Sequence, residues 1–198
     1  MDKESKYNHI DLGLPSGTLW ATTPITNDDG EILYFQWGDT QGWTAQQVKD
    51  GEKIFSTPND KLYSNDLYTK YNETDGKTVL DLEDDAAHVI MGGNWRIPTY
   101  EHYEELLNNT SSSWITQDGV NGRLFTSKLN GNSLFLPASC CILYGSILHI
   151  NSNGYFWINS RHESATSNAR YLISDSSNIN INYCHRCCGF CIVGVINK

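Results

Sequence analysis

The chain opens on a segment in which apolar and polar positions alternate, HIDLGLPSGTLWAT, at residues 9–22. This alternation predicts β-structure, because successive side chains of a strand point to opposite faces. Pro15-Ser16-Gly17 predicts a turn inside the segment. Residues 24–78 show no sustained period and are rich in Gly, Asp and Asn. We therefore expect surface connections there, held by four aromatic anchors: Tyr34, Phe35, Trp37 and Trp43.

Two helices are predicted in the middle of the chain. In DLEDDAAHVIMGG, residues 81–93, Asp81 is the expected N-cap, acidic residues crowd the positive N-terminal end, and Gly92-Gly93 ends the helix. In RIPTYEHYEELLNN, residues 96–109, Thr99 is the expected N-cap and Glu101 lies in the first turn. The apolar positions of this second helix share one face at spacings i, i+3 and i+4: Tyr103, Leu106 and Leu107.

The rest of the chain has the pattern of short strands separated by turn residues. The predicted strands are 113–116, 122–128, 132–139, 154–160, 169–174, 178–182 and 189–196. Residues 178–182 read NININ, a period of two that predicts one solvated face. Helices in the middle followed by a run of strands indicate an α+β fold. We expect a single domain over residues 1–198, a size that allows one substantial core.

The net charge of the chain narrows the class of molecule that it is expected to bind. The net charge is −9, and residues 1–118 hold 21 of the 23 acidic side chains but only 8 of the 14 basic ones. Nucleic-acid binding needs a basic surface, so a nucleic-acid partner is not expected. No apolar run approaches the roughly 20 residues that span a bilayer, so we expect no membrane insertion by this segment. The polar start MDKESKYNHIDLG resembles no signal peptide.

The composition of the last third is skewed. All six cysteines lie there, and no Lys stands between Lys128 and Lys198, no Gln follows Gln117 and no Met follows Met91. Lys, Gln, Glu, Met and Trp cannot be reached by altering the adenines of an Asn codon, whereas Tyr, His, Cys, Arg, Ile and Ser can. Chance combined with the strand preference for Ile, Tyr and Cys is the alternative explanation.

Several unusual strings occur in an order that resembles a known family. They are HIDLGLPSGTLWAT, YFQWGDT, DGKTVLDLEDDAAHVIMGGNWRIPTYEHYEELLNN, GVNGRLFTSKLNGNSLFLPAS and GYFWINS. Together they are similar to the C-type-lectin-fold domain common in gut Bacteroidetes, which is related to the formylglycine-generating enzyme fold. Members include the variable proteins of diversity-generating retroelements of Bacteroides and its phages. In those proteins, adenine-directed mutagenesis rewrites a C-terminal segment that binds ligands.

The resemblance implies a C-type-lectin-like α+β domain with a mostly antiparallel sheet, two flanking helices, and a first strand that pairs near the last. It implies a noncatalytic receptor-recognition protein that is hypervariable over residues 138–193. The implied partner is a protein or glycan on a cell surface. The chain itself would be extracellular, exposed on a cell surface or placed at a phage tail tip, with its export signal outside this sequence.

The residues expected to contact the ligand lie on the late strands, where aromatic and Arg side chains would act as anchors. They are Tyr155, Phe156, Ile158, Asn159, Arg161, His162, Arg170, Ile173, Asp175, Asn180, Asn182, Tyr183, Cys184, His185, Cys187 and Cys188. Four further residues are expected to form the framework beneath them: Gly154, Trp157, Gly189 and Phe190. Arg186 is expected to belong to the scaffold as well.

The segment YCHRCCGFC, residues 183–191, raises three chemical alternatives. Its two C-x-x-C pairs abut at Cys187-Cys188, and neighbouring strand residues point to opposite faces, so one zinc site using all four is not expected. A disulfide between Cys140 or Cys141 and this segment stays open. The string Cys184-His185-Arg186-Cys187-Cys188 resembles the catalytic C-H-R-S-Y-C of the formylglycine-generating oxidase, but its spacing differs.

The sequence gives less support for other catalytic or metal sites. No Ser or Asp stands at a fixed spacing from the histidines that would indicate a catalytic triad. The acids of DLEDDAA, with Asp75 nearby, could bind calcium, but they lack the spacing of an EF-hand loop and helix capping is the favoured explanation. We therefore expect no catalytic residues, no metal and no cofactor. The rival functions are a thiol oxidase and a structural cell-surface domain without diversification.

Overall fold

The computed structural model of the chain describes residues 7–197, which form three α-helices and fifteen short strands. The helices are α1 (Ala45–Lys49), α2 (Ala86–Met91) and α3 (Tyr100–Asn109). The strands are β1 (His9–Asp11), β2 (Leu19–Ala21), β3 (Leu33–Tyr34), β4 (Trp43–Thr44), β5 (Tyr63–Ser64), β6 (Leu67–Tyr68), β7 (Thr110–Gln117), β8 (Val120–Ser127), β9 (Ser133–Pro137), β10 (Ser139–Leu143), β11 (Ser146–Ile150), β12 (Gly154–Arg161), β13 (Asn168–Ser174), β14 (Ile179–His185) and β15 (Val195–Ile196).

The strands form several small antiparallel sheets, and the α+β prediction is confirmed at this level. Three sheets have three strands each, in the orders β1-β2-β15, β7-β8-β9 and β12-β13-β14. Two-stranded hairpins, β3-β4, β5-β6 and β10-β11, complete the set within residues 7–197. Thr57–Asn59 and Leu82–Asp84 are single 3₁₀ turns.

Helix α3 begins and ends where its sequence predicts. The Thr99 side chain accepts a hydrogen bond from the His102 backbone N–H, and the His102 ring accepts one from the Thr99 N–H, so both groups cap the first turn. Tyr103 and Leu106 are fully buried and Leu107 is half-buried, as the apolar spacing predicts. This helix lies against the core along one face.

Helix α2 exists as predicted, but its N-cap is Asp85 and the prediction of Asp81 is wrong. The Asp85 carboxylate accepts hydrogen bonds from the His88 N–H and from the Ile97 N–H, at 3.0 Å each. Asp85 therefore caps the helix and also fixes the segment that leads into α3. Residues 82–84 form a 3₁₀ turn ahead of the helix, which moves the cap four residues along the chain.

Helix α1 was not predicted, because it lies within the segment expected to be irregular. It is one and a half turns long and is held by a capping box between Thr44 and Gln47. The aromatic anchors of that segment are confirmed for Tyr34, Phe35 and Trp37, which are buried, while Trp43 is half-buried.

The opening segment folds back on itself, and the end of the chain joins it. The Gly17 N–H donates to the Leu14 carbonyl at 2.8 Å, so the predicted turn separates β1 from β2. Trp20 of β2 then pairs with Val195 of β15. The expectation that the first strands pair with the last is confirmed.

Residues 189–196 are not the single strand that the apolar run predicts, except over Val195–Ile196. This segment changes partner almost residue by residue: Gly189 bridges to Ile142, Phe190 to Phe35, and Cys191 to Phe156. It runs through the core between the β3-β4 and β10-β11 hairpins and the β12-β13-β14 sheet, so it forms single bridges and no continuous pairing with one strand. Its buried apolar side chains hold the hairpins together.

The framework prediction is confirmed. Trp157 is completely buried, its indole N–H donates to the Phe35 carbonyl at 2.7 Å, and its ring centroid lies 4.3 Å from that of Phe190. A Cβ added at Gly154 would stand 2.7 Å from the Pro137 carbonyl oxygen, and one at Gly189 would stand 2.7 Å from the Phe55 ring. Both glycines therefore permit close packing beneath β12 and the last segment.

Candidate recognition surface

The sheet β12-β13-β14 carries most of the residues expected to bind a ligand. Its register places Arg170 opposite Tyr183 and Ala169 opposite Cys184. Because side chains alternate along a strand, Arg170 and Tyr183 lie on one face of the sheet, while Asn180, Asn182 and Cys184 lie on the other. The predicted single patch is therefore divided between two faces.

On the first face, four residues form the feature that we name the Tyr183 cluster: Tyr100, His162, Arg170 and Tyr183. Arg170 Nε donates to the Tyr183 hydroxyl at 3.0 Å. Its guanidinium carbon lies 4.8 Å from the Tyr100 ring centroid and 5.4 Å from that of Tyr183. The His162 ring meets the Tyr183 ring edge to face, with centroids 4.4 Å apart. Tyr183 is 37% exposed, so the cluster is accessible from solvent.

The His162 side chain is positioned by the turn that follows it. Its Nδ1 accepts from the backbone N–H groups of Ser164 and Ala165 at 3.2 Å and 3.1 Å. This arrangement makes Nδ1 the unprotonated ring nitrogen and leaves Nε2 as the donor in the neutral ring. The His162 backbone N–H donates to the Asn168 carbonyl at 2.8 Å, which closes the loop between β12 and β13.

Two clefts flank the Tyr183 cluster. The larger has a volume of about 520 Å³ and lies between the β5-β6 hairpin, residues 72–74, and the three residues Thr166, Ser167 and His185. Its walls include the Tyr63 and Tyr68 rings, which meet edge to face at 5.1 Å, and the carboxylates of Asp66 and Glu73. The smaller cleft, about 230 Å³, lies at the start of α3 and includes Tyr100, Asn159 and Arg170.

Six residues predicted to contact a ligand are buried, and the expectation that they are exposed is wrong. They are Tyr155, Phe156, Ile158, Arg161, Cys187 and Cys188. Strand β12 is covered on both faces, so neither set of its alternating side chains reaches solvent in its first half. Tyr155 stacks on Phe190 with ring centroids 5.2 Å apart, while Phe156 and Ile158 are completely buried in the core.

Arg161 is buried for a different reason, because its guanidinium holds backbone carbonyls together. It donates to the carbonyl oxygens of Lys77, His162 and Glu163 at 2.7 Å, 2.6 Å and 2.8 Å. These bonds tie the loop before α2 to the end of β12. Cys187 and Cys188 are buried because the chain turns into the core after β14.

The remaining predicted residues are spread over the sheet and its edges. Asn180 and Asn182 are exposed on the second face, and Ile173 and Cys184 are half-buried there. Asp175 accepts from the backbone N–H groups of Ser177 and Asn178, so it shapes the β13-β14 turn. Asn159 uses its backbone to join Leu80 and Pro98, and His185 lines the larger cleft.

Sequence reasoning missed Tyr100, which completes the Tyr183 cluster from α3. It lies 83 residues from Tyr183 in the sequence, and no local pattern links the two positions. Its hydroxyl donates to Glu104 at 2.5 Å, and this hydrogen bond raises the pKa of Tyr100. The ring is thereby fixed beside Arg170.

All six cysteines are free thiols. The sulfur atoms of Cys184 and Cys188 are 3.0 Å apart. Within residues 7–197, the cysteines and histidines form no group of three ligand atoms within 4.8 Å of one another. The one group that meets this criterion in that range is acidic: Asp81, Glu83 and Asp84.

A lysine occupies the centre of the acidic group. Lys70 Nζ lies 2.7 Å from Asp81, 2.8 Å from Glu83 and 2.6 Å from Asp84. Lys61 adds a second ammonium 3.0 Å from Asp84. These ammonium groups neutralise the carboxylates, so the clustering of three acidic residues is explained by ion pairs with lysine and needs no metal ion.

Comparisons with known proteins assign no family or function to this chain. In the part of the chain that the structure describes, no helix has the length and apolar character needed to cross a membrane. Searches with family models, among curated proteins and among solved structures find no match to this chain.

Proposed function

We propose that this chain is a noncatalytic recognition protein that binds a protein or glycan of a cell surface through the Tyr183 cluster and its flanking clefts. The observation that carries the proposal is the cluster itself: Tyr, Arg and His side chains gathered at the surface above a fully buried framework. Tyr and Arg are the residues most enriched where binding energy concentrates, because they give large contact area and several hydrogen bonds.

The proposal includes membership of the C-type-lectin-fold variable proteins of diversity-generating retroelements. The adenine-dependent composition of the last third supports it, since Tyr183, His162 and Arg170 are all residue types reachable from Asn codons. In this proposal the ligand contacts the accessible members of the predicted set, chiefly His162, Arg170, Tyr183 and His185 on one face of the sheet. Asn180 and Asn182 form a second accessible set on the opposite face.

Binding tests the recognition proposal. The purified chain is applied to immobilised oligosaccharides and to purified cell-surface proteins, and each hit is titrated. Tyr183→Ala and Arg170→Ala should each weaken binding at least tenfold, about 1.4 kcal/mol or more. Tyr144→Ala is the matched control, because Tyr144 is 65% exposed in the separate β10-β11 turn. Equal loss in the control variant, or none in the two cluster variants, would contradict the proposal.

Genomic DNA tests the diversification. We expect a near-identical repeat of the region encoding residues 138–193 beside a reverse-transcriptase gene, with mismatches confined to adenines of the repeat. Mismatches spread over all four bases would indicate an ordinary duplicated gene. Binding without such a repeat would leave recognition intact and remove only its mechanism of variation.

A further inference from the structure

Two cysteine sulfurs meet across the turn that ends β14. The Cys188 N–H donates to the His185 carbonyl at 3.0 Å, which closes a β-turn over residues 185–188. Cys184 stands directly before this turn and Cys188 is its last residue. Their sulfur atoms are 3.0 Å apart, in contact through a thiol hydrogen bond.

The two sulfurs differ in access. Cys184 is half-buried on the edge strand β14, whereas Cys188 is 2% exposed. A soluble reagent therefore reaches Cys184 first, with Cys188 directly behind it. Cys187 is completely buried.

Two of the other cysteines are engaged elsewhere. The Cys140 thiol bonds to the Tyr34 hydroxyl at 3.0 Å, and the Cys191 thiol donates to Ser139 Oγ and to the Tyr155 carbonyl. Burial raises the pKa of Cys191, so that thiol stays protonated. Cys141 is 8% exposed and interacts electrostatically with Cys184, which makes it the competing partner.

The local charge pattern favours thiolate on the accessible sulfur. The hydrogen bond from Cys188 lowers the pKa of Cys184, although burial opposes the shift. The hydrogen bond with Cys188 and the neighbouring His185 lower the pKa of Cys187 as well, although burial opposes the shift. Cys188 itself is held as a thiol by its two neighbours, so its pKa is raised. Thiolate is the form that attacks disulfides.

We propose that Cys184 and Cys188 form a thiol–disulfide exchange site that reacts with small soluble disulfides. The Cys184 thiolate attacks one sulfur of the disulfide, forms a mixed disulfide, and releases one thiolate. In the mixed disulfide Cys184 is no longer a thiolate, so Cys188 loses its proton and attacks Cys184 Sγ, which forms the Cys184–Cys188 bond and releases the second thiolate. The two cysteines are oxidised and the small disulfide is reduced to two thiols, which take one proton from Cys188 and one from the solvent.

The geometry requires only a small movement for the second step. A disulfide bond is about 2.05 Å long, so the two sulfurs need to approach by about 1 Å. Both residues lie at a single turn on the edge of the sheet, where no strand within residues 7–197 pairs with the outer side of β14. This site is independent of ligand binding at the Tyr183 cluster, because Cys184 lies on the opposite face of the sheet.

Oxidised glutathione is the probe. The purified full chain is equilibrated with oxidised and reduced glutathione at pH 7, and free thiols are trapped with N-ethylmaleimide under denaturing conditions. Trypsin cuts after Arg170 and Arg186, so Cys184 falls in peptide 171–186 and Cys188 in peptide 187–198. We expect these two peptides to be joined by a disulfide that fragment ions place on Cys188, and we expect Cys191 to be alkylated.

Variants separate the exchange site from nonspecific oxidation. Cys184→Ser and Cys188→Ser should each abolish the cross-link between the peptides, while Cys187→Ser should keep it. Cys184 is half-buried, so its serine variant gives a usable result even if Cys188→Ser fails to fold. A link from peptide 171–186 to the Cys141 peptide would overturn the proposal. A mixed disulfide with glutathione that never resolves into the Cys184–Cys188 bond would overturn it equally.

Discussion

The guanidinium carbon of Arg186 lies 4.1 Å from the Tyr68 ring centroid, and no part of the Arg186 side chain reaches solvent. Its Nη1 donates to the carbonyl oxygens of Lys70 and Thr166 at 3.2 Å and 3.3 Å. One buried cation thus joins the loop before α2 to the β12-β13 loop and to the turn after β14. Burial lowers the pKa of Arg186, but the value stays far above neutral pH for a guanidinium.

We predict that Arg186→Met lowers the free energy of unfolding by about 3 kcal/mol. The change leaves buried carbonyl groups without a charged donor and removes the contacts of the cation with Tyr68 and Trp37. Urea unfolding measured by tryptophan fluorescence checks it. Arg170→Met is the matched control and should cost less than about 1 kcal/mol, because Arg170 is half-exposed.

Substitutions on β14 and β12 should differ sharply in their effect on stability. Asn180→Tyr and Asn182→Tyr should change the free energy of unfolding by no more than about 0.5 kcal/mol, because both positions are exposed. Phe156→Ala should cost about 4 kcal/mol and Ile158→Ala about 3 kcal/mol, since each leaves a cavity in the core. Urea unfolding measures these free energies. Equal losses of unfolding free energy at the β14 and β12 positions would show that β14 does not tolerate substitution better than β12.

Stability should depend on the protonation of Asp60. Burial raises the pKa of this carboxyl to about 6, compared with 3.8 for an unshifted group. Between these values the folded chain binds more protons than the unfolded chain, so the free energy of unfolding falls as pH rises from about 4 to 6. The full effect is about 3 kcal/mol for a shift of about two units. This contribution is present at low pH and lost above the folded pKa.

Asp60→Asn isolates that effect. The stability of this variant relative to the unaltered chain should increase by up to about 3 kcal/mol between pH 4 and pH 7, because the amide does not titrate. Urea midpoints at several pH values measure it. Parallel pH profiles for the two proteins would mean that Asp60 does not carry a raised pKa.

Lys70 should stabilise the segment before α2 through its ion pairs with the acidic group. Lys70→Met should cost about 2 kcal/mol at pH 7, because Asp84 is 5% exposed and would keep only Lys61 and Tyr71 as charge partners and donors. Burial opposes the shift, but Lys70, Tyr71 and Lys61 together lower the pKa of Asp84. The loss should therefore shrink as pH falls through the folded pKa of Asp84.

Calcium provides a separate test of the same group. In the unaltered chain the Lys70 ammonium occupies the space among the three carboxylates, so 1 mM calcium chloride should raise the melting temperature by less than about 1 °C. Differential scanning fluorimetry with magnesium chloride as the ionic-strength control measures this. A calcium-specific increase of several degrees would mean that the ion displaces Lys70.

Local signals in the sequence predict some elements well. The Thr99 N-cap and the apolar face of Tyr103 and Leu106 are sufficient to predict α3, because capping and hydrophobic periodicity are both local properties of the sequence. Asp85 was missed as the cap of α2 because the run DLEDD offers several acids that satisfy the same capping rule. The choice among them is made by the Ile97 N–H, which reaches Asp85 from beyond the helix.

The candidate recognition surface depends on information that lies outside any local pattern. The run GYFWI at residues 154–158 has no polar alternation, which is typical of a strand buried on both faces, and this signal argues against exposure of Phe156 and Ile158. The division of the predicted patch follows from the pairing of β13 with β14, which sequence alone does not give. Tyr100 reaches Arg170 only because α3 packs against β12.

Because the last strand, β15, pairs with β2 near the start of the chain, it determines how late during synthesis the core can fold. Val195 completes a sheet begun by residues 9–21, and the preceding segment fills the centre of the molecule, so the ribosome must release nearly the whole polypeptide before the core can assemble. A product that ends anywhere between residues 138 and 193 lacks strand β15 and some or all of the buried segment that precedes it. Such products should remain unfolded and be degraded by proteolysis.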